Sequence, residues 1–427
     1  MRLAVFTAEF PGRINTFFAR DMVALIRAGV EIDVFPIYPL RSRYWSAVPD
    51  YLSPEVLSRD RVHHVSPFAA LTQGSHSSWR KRLRFIADTA RVRASAVRFG
   101  PASLIKSEYV FPKAWSWARN AAQPYDHVLA YWGNYAATAA YLFHRLLDRE
   151  VPLSILLHAH DLYARQVFLR QKLLHADNVL VVCEYNRRFL ATRFPDIFPR
   201  IANKVHLHHL GVDVSAITPS FSGRSSHTCL AVGRLDASKG FDDLLRAAAL
   251  VSRRGREITI EMVGDGEQAA QLRRLAASLG IADRVRFRGW LPFDAIPAAM
   301  IKATMLVHPS CGLGDAVPTV IKEAMALGTP VVGSTAVGIP ELLDGGRCGL
   351  LVPERNVERL AGAIEQLLLD ADLRDRLARA GRAFAERTFD VWRNGQRLAD
   401  LLRATRRNPA GAAGATGIAR SRMNVAS

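Results

Sequence analysis

Apolar runs of strand length alternate along the chain with stretches whose apolar positions recur at helical spacing. Residues 3–7 form the first run, and Phe18, Met22, Leu25 and Ile26 then fall on one face of a helix predicted over 19–27. Residues 30–35 read as the next strand. From 36 to about 66 the pattern has no clear period, and 128–133, 151–157 and 178–182 are further strands, with helices predicted over 136–147 and from Glu184 onward. The second half is more regular. It carries strands at 228–232, 258–263, 284–287 and 305–307, a helix over 241–251 and a last helix over 391–406. Strand and helix in repeated succession predict parallel sheets built from βαβ units, the pattern of an α/β protein.

At 427 residues the chain is long enough for two such domains of about 200 residues each. Residues 218–226, Ser-rich with Pro219 and Gly223, read as the linker. This gives domains over 1–215 and 216–390, followed by the helix over 391–406. A tail over 407–427, rich in Ala and Gly with few large apolar residues, is expected to be disordered. Cys183, Cys229, Cys311 and Cys348 have neither zinc-ligand nor disulfide spacing and read as buried small residues or free thiols. The opening MRLAVFTAEFPG meets Glu9 too soon for a signal peptide, and no run of about 20 apolar residues occurs, so neither export nor a membrane span is expected.

The net charge of +18 is uneven: residues 1–210 hold 28 Lys and Arg against 16 Asp and Glu, which leaves +6 for the remainder. Between Arg80 and Arg119 there are ten basic residues and two acidic ones, interleaved with Trp79, Phe85, Trp115 and Trp117. Such a segment suits an anionic membrane surface, the alternative being a solvated basic face. No nucleic-acid-binding module is recognisable, so nucleic acid is not an expected partner.

The candidate chemistry centres on residues 308–341, HPSCGLGDAVPTVIKEAMALGTPVVGSTAVGIPE. A strand leads into a loop with Gly312 and Gly314 and then into a helix expected to open at Pro318, which suits the first helical position. The unpaired N–H groups and positive dipole of a helix start form an anion site. Asp315 in the loop and Glu323 in the helix flank it, and a phosphate between hydroxyl-binding carboxylates points to a sugar nucleotide. Further back, residues 151–157 end in His158, His160 and Asp161, at the carboxyl end of a strand where α/β sheets bind ligands. Asp370 and Asp372 form a DxD that reads as surface charge on a helix and not as a metal site.

Residues 308–341 resemble the E-x7-E signature of retaining glycosyltransferases of the GT-B fold, family 4 (glycosyl transferases group 1). Glu323, Ala324, Met325, Ala326, Gly328, Pro330, Val331, Val332, Gly338, Pro340 and Glu341 match, and Asp315 stands where the first Glu is usual. Residues 233–240, GRLDASKG, match the GRL-x-x-x-KG motif; 158–161, HAHD, the HGHD or HAHD segment; and 10–18, FPGRINTFF, is similar to the FP-x-x-SETF start of polysaccharide-building members, without its Ser and Glu.

The resemblance implies two Rossmann-like domains facing a central cleft and a nucleotide-diphosphate sugar as donor, with no metal and no cofactor. The acceptor it implies is a glycan or lipid-linked glycan in exopolysaccharide or lipopolysaccharide assembly, met by a cytoplasmic protein at the inner face of the membrane. It assigns catalytic roles to His158, Arg234, Lys239, Asp315 and Glu323. Donor contacts fall to Gly12, Asn15, Gly233, Gly264, Gly289, Trp290, Val317, Pro318 and Thr319, and the acceptor side to His160 and Asp161. Two other readings fit the same fold: a different GT-B enzyme such as an epimerase, or a non-catalytic nucleotide-sugar-binding subunit.

Overall fold

Among the described residues, each half of the chain builds one parallel sheet of six strands. The structure, a computed structural model, describes residues 1–10, 16–38, 57–66, 78–121, 124–164, 166–292, 295–314 and 316–405. The first half contains β1 (Arg2–Thr7), α1 (Thr16–Arg27), β2 (Glu31–Pro36), α2 (Trp79–Val97), α3 (Pro101–Arg119), β3 (His127–Ala130) and α4 (Tyr135–Leu146). It continues with β4 (Leu153–Leu157), α5 (Ala159–Tyr163), α6 (Leu169–His175), β5 (Asn178–Val181), α7 (Glu184–Arg193), α8 (Phe198–Ile201) and β6 (Val205–Leu207). The second half contains β7 (Thr228–Val232), α9 (Phe241–Arg253), β8 (Thr259–Val263), α10 (Ala269–Ser278), β9 (Val285–Gly289), α11 (Ala295–Lys302) and β10 (Met305–His308). It ends with α12 (Thr319–Ala326), β11 (Val331–Ser334), α13 (Ile339–Leu342), β12 (Leu350–Val352), α14 (Val357–Leu369), α15 (Ala371–Thr388) and α16 (Val391–Ala404).

The central strands are buried along their whole length, as in LSILL of β4 and MLVH of β10, because crossover helices cover both faces of each sheet. Their apolar runs are continuous for that reason. In the first sheet the order is β2-β1-β3-β4-β5-β6 and in the second β12-β11-β10-β7-β8-β9. Each order reverses direction once, between β1 and β3 and between β7 and β10. At such a switch point the flanking loops diverge and leave a crevice at the carboxyl ends of the strands.

The chain divides into two units, one of Met1–Val182, Arg187–His208 and the chain from Trp392 on, the other of Cys183–Asn186 and His209–Val391. Helix α16 packs in the first unit. Gly395 lies so close to Ala24 that a Cβ there would come within 2.3 Å of the Ala24 Cβ, and the buried His127 donates from Nδ1 to the Leu402 carbonyl at 3.2 Å. Residues 407–427, expected to be a disordered tail, lie outside the described residues.

Candidate functional site

In the second unit the ends of three adjacent strands are held level. Gly233 N–H donates to Val263 O at 3.0 Å, and Gly264 N–H to Gly289 O at 2.8 Å. Gly264 has φ +137°, and a Cβ there would sit 1.8 Å from the Gly233 carbonyl oxygen, so two backbones touch where any side chain would intrude. Past Gly289, Trp290 is 54% exposed, an aromatic face at the same edge of the sheet.

The loop after β7 is stiffened by Asp236, whose Oδ1 accepts from Ser238 N at 3.0 Å and from the Ser238 hydroxyl. Its Oδ2 lies 3.0 Å from the Arg234 guanidinium, which is otherwise exposed. The Lys239 stem lies over Gly233, with Cε 3.6 Å from where a Cβ of that glycine would be. Arg234 and Lys239 therefore both stand at the end of β7.

The loop after β10 is laced onto the loop after β7. A Cβ on Gly240 would meet Pro309 O at 2.1 Å, Cys311 N donates to Ser238 O at 2.8 Å, and a Cβ on Gly314 would meet Ser238 Cβ at 2.6 Å. This closes the switch point into one cradle. Asp315 follows Gly314 in this loop but lies outside the described residues, as do Gly12 and Asn15 of the first unit.

The helix after this loop begins one residue later than the sequence pattern implied. Pro318 is the N-cap of α12 with ψ 121°, and no side chain caps the helix start. A proline φ of −62° suits the cap as well as the first turn, so sequence could not separate the two. Val317 and Thr319 on either side are partly exposed, and Glu323 is half-buried one turn further on.

The far end of α12 is met by a residue that no sequence motif marks. The half-buried Arg224, inside the Ser-rich linker, donates to Leu327 O and Gly328 O at 3.2 and 2.7 Å, and to Met300 O and Ile301 O at 2.8 and 2.9 Å. One guanidinium thus caps the carbonyl ends of α11 and α12. Burial pulls it down to about 10, so it stays charged at neutral pH.

In the first unit, His158 ends β4 as the N-cap of α5, and Asp161 Oδ2 accepts from His158 N at 3.0 Å. The imidazole Nε2–H donates to Tyr131 O at 3.1 Å, while the ring lies against Trp132, Tyr131 and Phe17 with centroids 4.1, 5.4 and 5.4 Å away. Its tautomer and orientation are therefore fixed. The structure separates the two residues expected on the acceptor side: His160 is exposed, whereas Asp161 is wholly buried and holds the His158 N–H.

Asp161 has a buried cation near it that sequence reasoning missed. Lys172 on α6 is fully buried and donates to Gly133 O, Asn134 O and Thr138 Oγ1 at 2.8, 2.9 and 3.2 Å, holding the loop after β3. Burial raises the Asp161 carboxyl to about 6, against the opposing pull of the His158 and Gly133 N–H groups and of Lys172. Burial likewise lowers Lys172 to about 7, with Asp161 opposing. At this switch point the buried Thr7 hydroxyl and the Trp132 indole N–H have no hydrogen-bond partner among the described residues. Polar capacity is left over there, and a polar ligand would satisfy it.

Among the described residues no three His, Cys, Asp or Glu side chains are grouped to hold a metal ion. Asp370 instead caps α15, accepting from Leu373 N at 2.8 Å.

Two parallel six-stranded α/β units with their polar side chains gathered at the switch points define the GT-B class of fold. The solved structure of Anabaena Alr3699/HepE in complex with UDP shares it, with a TM-score of 0.66 and 18% identity, covering 94% of this chain and 99% of that one. The family model for Glycosyl transferases group 1 matches residues 222–384. A GDP-mannose-dependent alpha-(1-6)-phosphatidylinositol monomannoside mannosyltransferase of Mycobacterium tuberculosis is 32% identical over 245 residues, 53% of this chain and 62% of its own length. A putative colanic acid biosynthesis glycosyltransferase, WcaL, of Escherichia coli is 25% identical over 95% of this chain and 100% of its own length. The chain spans about half the length, 45% and 62%, of the two foremost curated relatives that match it at 32% identity.

Proposed function

We propose that the chain is a retaining, metal-independent glycosyltransferase that moves a sugar from a nucleotide-diphosphate sugar to a lipid-linked glycan acceptor during assembly of a bacterial surface polysaccharide. The observation that carries this reading is the β7/β10 switch point, where Arg234, Lys239 and the uncapped start of α12 collect positive charge. Breaking the anomeric bond leaves about one additional negative charge on the departing diphosphate, and charges and dipoles fixed beforehand stabilise it without reorganising. Gly233 and Gly264 let the donor approach the backbone, Gly289 and Trp290 meet the base, and Val317, Pro318 and Thr319 receive the phosphates. Glu323 grips the ribose, Asp315 the hydroxyls of the transferred sugar, and His158 the sugar from the first unit. With no carboxylate assigned as a covalent nucleophile, the acceptor hydroxyl attacks on the face the diphosphate leaves, and a phosphate oxygen takes its proton.

The names of the relatives support the class: one is a mannosyltransferase acting on a phosphatidylinositol monomannoside, another a glycosyltransferase of colanic acid biosynthesis, and the solved neighbour is in complex with UDP. The reading puts the protein at the inner face of the cytoplasmic membrane, where a lipid-linked acceptor is presented.

The test begins with thermal stabilisation by a panel of UDP-, GDP- and ADP-sugars, since a ligand at 100 times its Kd adds about 2.7 kcal/mol. Transfer with the stabilising donor is then measured in EDTA. Undiminished turnover is expected, with Arg234→Ala and Lys239→Ala each slowing transfer roughly 100-fold or more. Turnover lost in EDTA and restored by magnesium would overturn the metal-free mechanism. Stabilisation by a donor that is never transferred or hydrolysed would leave a binding subunit in place of an enzyme.

A further inference from the structure

We infer that α2 lies flat on an anionic membrane surface, through an apolar face that the fold leaves bare. The inference deepens the proposed function, because it names the surface by which a protein with a lipid-linked acceptor would meet the bilayer.

The inward side of α2 is accounted for by Asp88, Thr89, Val92 and Ala96, all buried, and by Phe85, whose ring is 4.9 Å from Trp115. On the opposite side Trp79, Leu83, Ile86, Ala90, Ala94 and Val97 follow one another at helical spacing and form a single stripe. Every one of them is exposed. Trp79, Leu83, Ile86 and Val97 are 66, 57, 60 and 64% exposed. The stripe runs about 27 Å, the whole length of the helix. A continuous apolar face of this kind on the outside of a fold marks a contact surface.

Charge identifies what it contacts. Arg80, Arg91 and Arg98 flank the stripe on one side and Arg82 on the other, roughly 75–105° around the axis from its centre, while Arg93 beside Arg82 is held by Glu108 at 2.5 and 2.9 Å. The acidic residue on this helix is Asp88, turned inward and paired with Arg145 at 2.9 Å and Arg91 at 3.2 Å. An apolar stripe with an arginine on each shoulder and a tryptophan at one end is what an interfacial helix presents: apolar side chains enter the acyl boundary and the guanidinium groups meet lipid phosphates. A second copy of this chain fits poorly, since a two-fold contact would set these arginines against one another. The helix lies on the surface and does not cross it, because no helix of the described residues is long and apolar enough to span a membrane.

The experiment is cosedimentation of the full chain with vesicles of phosphatidylcholine mixed with phosphatidylglycerol, against phosphatidylcholine alone. The wild type is expected to bind the mixed vesicles and to release in high salt. A variant carrying Trp79→Ser, Leu83→Ser and Ile86→Ser should bind at least about tenfold more weakly, and Arg80→Ser with Arg98→Ser should lose the salt-sensitive part of binding. Donor stabilisation measured on the same samples should be the same in all variants, which shows them folded. Vesicle binding by the triple serine variant equal to wild type overturns the inference. So does a wild-type dimer in sedimentation that the triple variant abolishes while vesicles are ignored. Failure to stabilise with any donor would instead sink the enzymatic reading and leave the vesicle result standing.

Discussion

Asp161 and Lys172 show how much one buried pair decides at the scale of single residues. The carboxyl sits wholly in the interior and is pushed up from 3.8 to about 6, chiefly by desolvation. Between those two values the folded chain keeps a proton that the unfolded chain has released, so Asp161 contributes stability at low pH that is lost as pH rises through that window. Lys172 runs the other way: its native value of about 7 lies below the ordinary 10.5, so stability rises with pH across that higher window. Melting temperatures of wild type and Asp161→Asn, followed from about pH 4 to about pH 6.5, should diverge, with the asparagine variant lacking the fall that Asp161 imposes. Parallel curves would mean that the carboxyl titrates normally. HAHD displays Asp161 in the sequence, but nothing local displays Lys172. A lysine on a short amphipathic helix looks solvated until the fold wraps Gly133, Asn134 and Thr138 around it.

Among elements, α12 is the most heavily constrained at both ends. Its start faces the β7/β10 loops, and its end is capped by Arg224, which also caps α11. Arg224→Ala would leave half-buried carbonyls at two helix ends without a donor and should cost about 3 kcal/mol of stability, read by urea denaturation. Arg224→Lys should recover only part of this, because one ammonium cannot span both helix ends as the planar fork does. A neutral Arg224→Ala would show that water serves these carbonyls equally well. The motif residues of α12 were legible in sequence because they are contiguous. Its partner was not, since Arg224 lies about 100 residues away in a stretch whose composition reads as linker.

At the scale of the whole molecule each unit has a large core of its own among the described residues. One is built from residues such as Phe6, Phe143, Ile155 and Leu173 and the other from Leu244, Met262, Val307 and Ile364, each within its own unit. Calorimetry should accordingly resolve two unfolding transitions, and the donor nucleotide should raise only the one belonging to the second unit, where the positive groups lie. A single transition shifted as a whole would show the units to be energetically coupled. The sequence by itself determined the succession of strands and helices and the places of GRLDASKG and of the stretch from His308 to Glu341. Hydrophobic periodicity and glycine-bearing turns are properties of neighbouring residues. Only the tertiary structure decided that β7 lies beside β10, with more than 70 residues between them, and so that Ser238 meets Cys311 and Gly314. It alone decided which face of α2 is buried. That helix carries apolar residues on both sides, Val92 and Ala96 inward and Trp79, Leu83 and Ile86 outward, and a periodic pattern cannot say which side a neighbouring element will cover. Burial is a property of the pair of surfaces that meet, and the second surface comes from elsewhere in the chain.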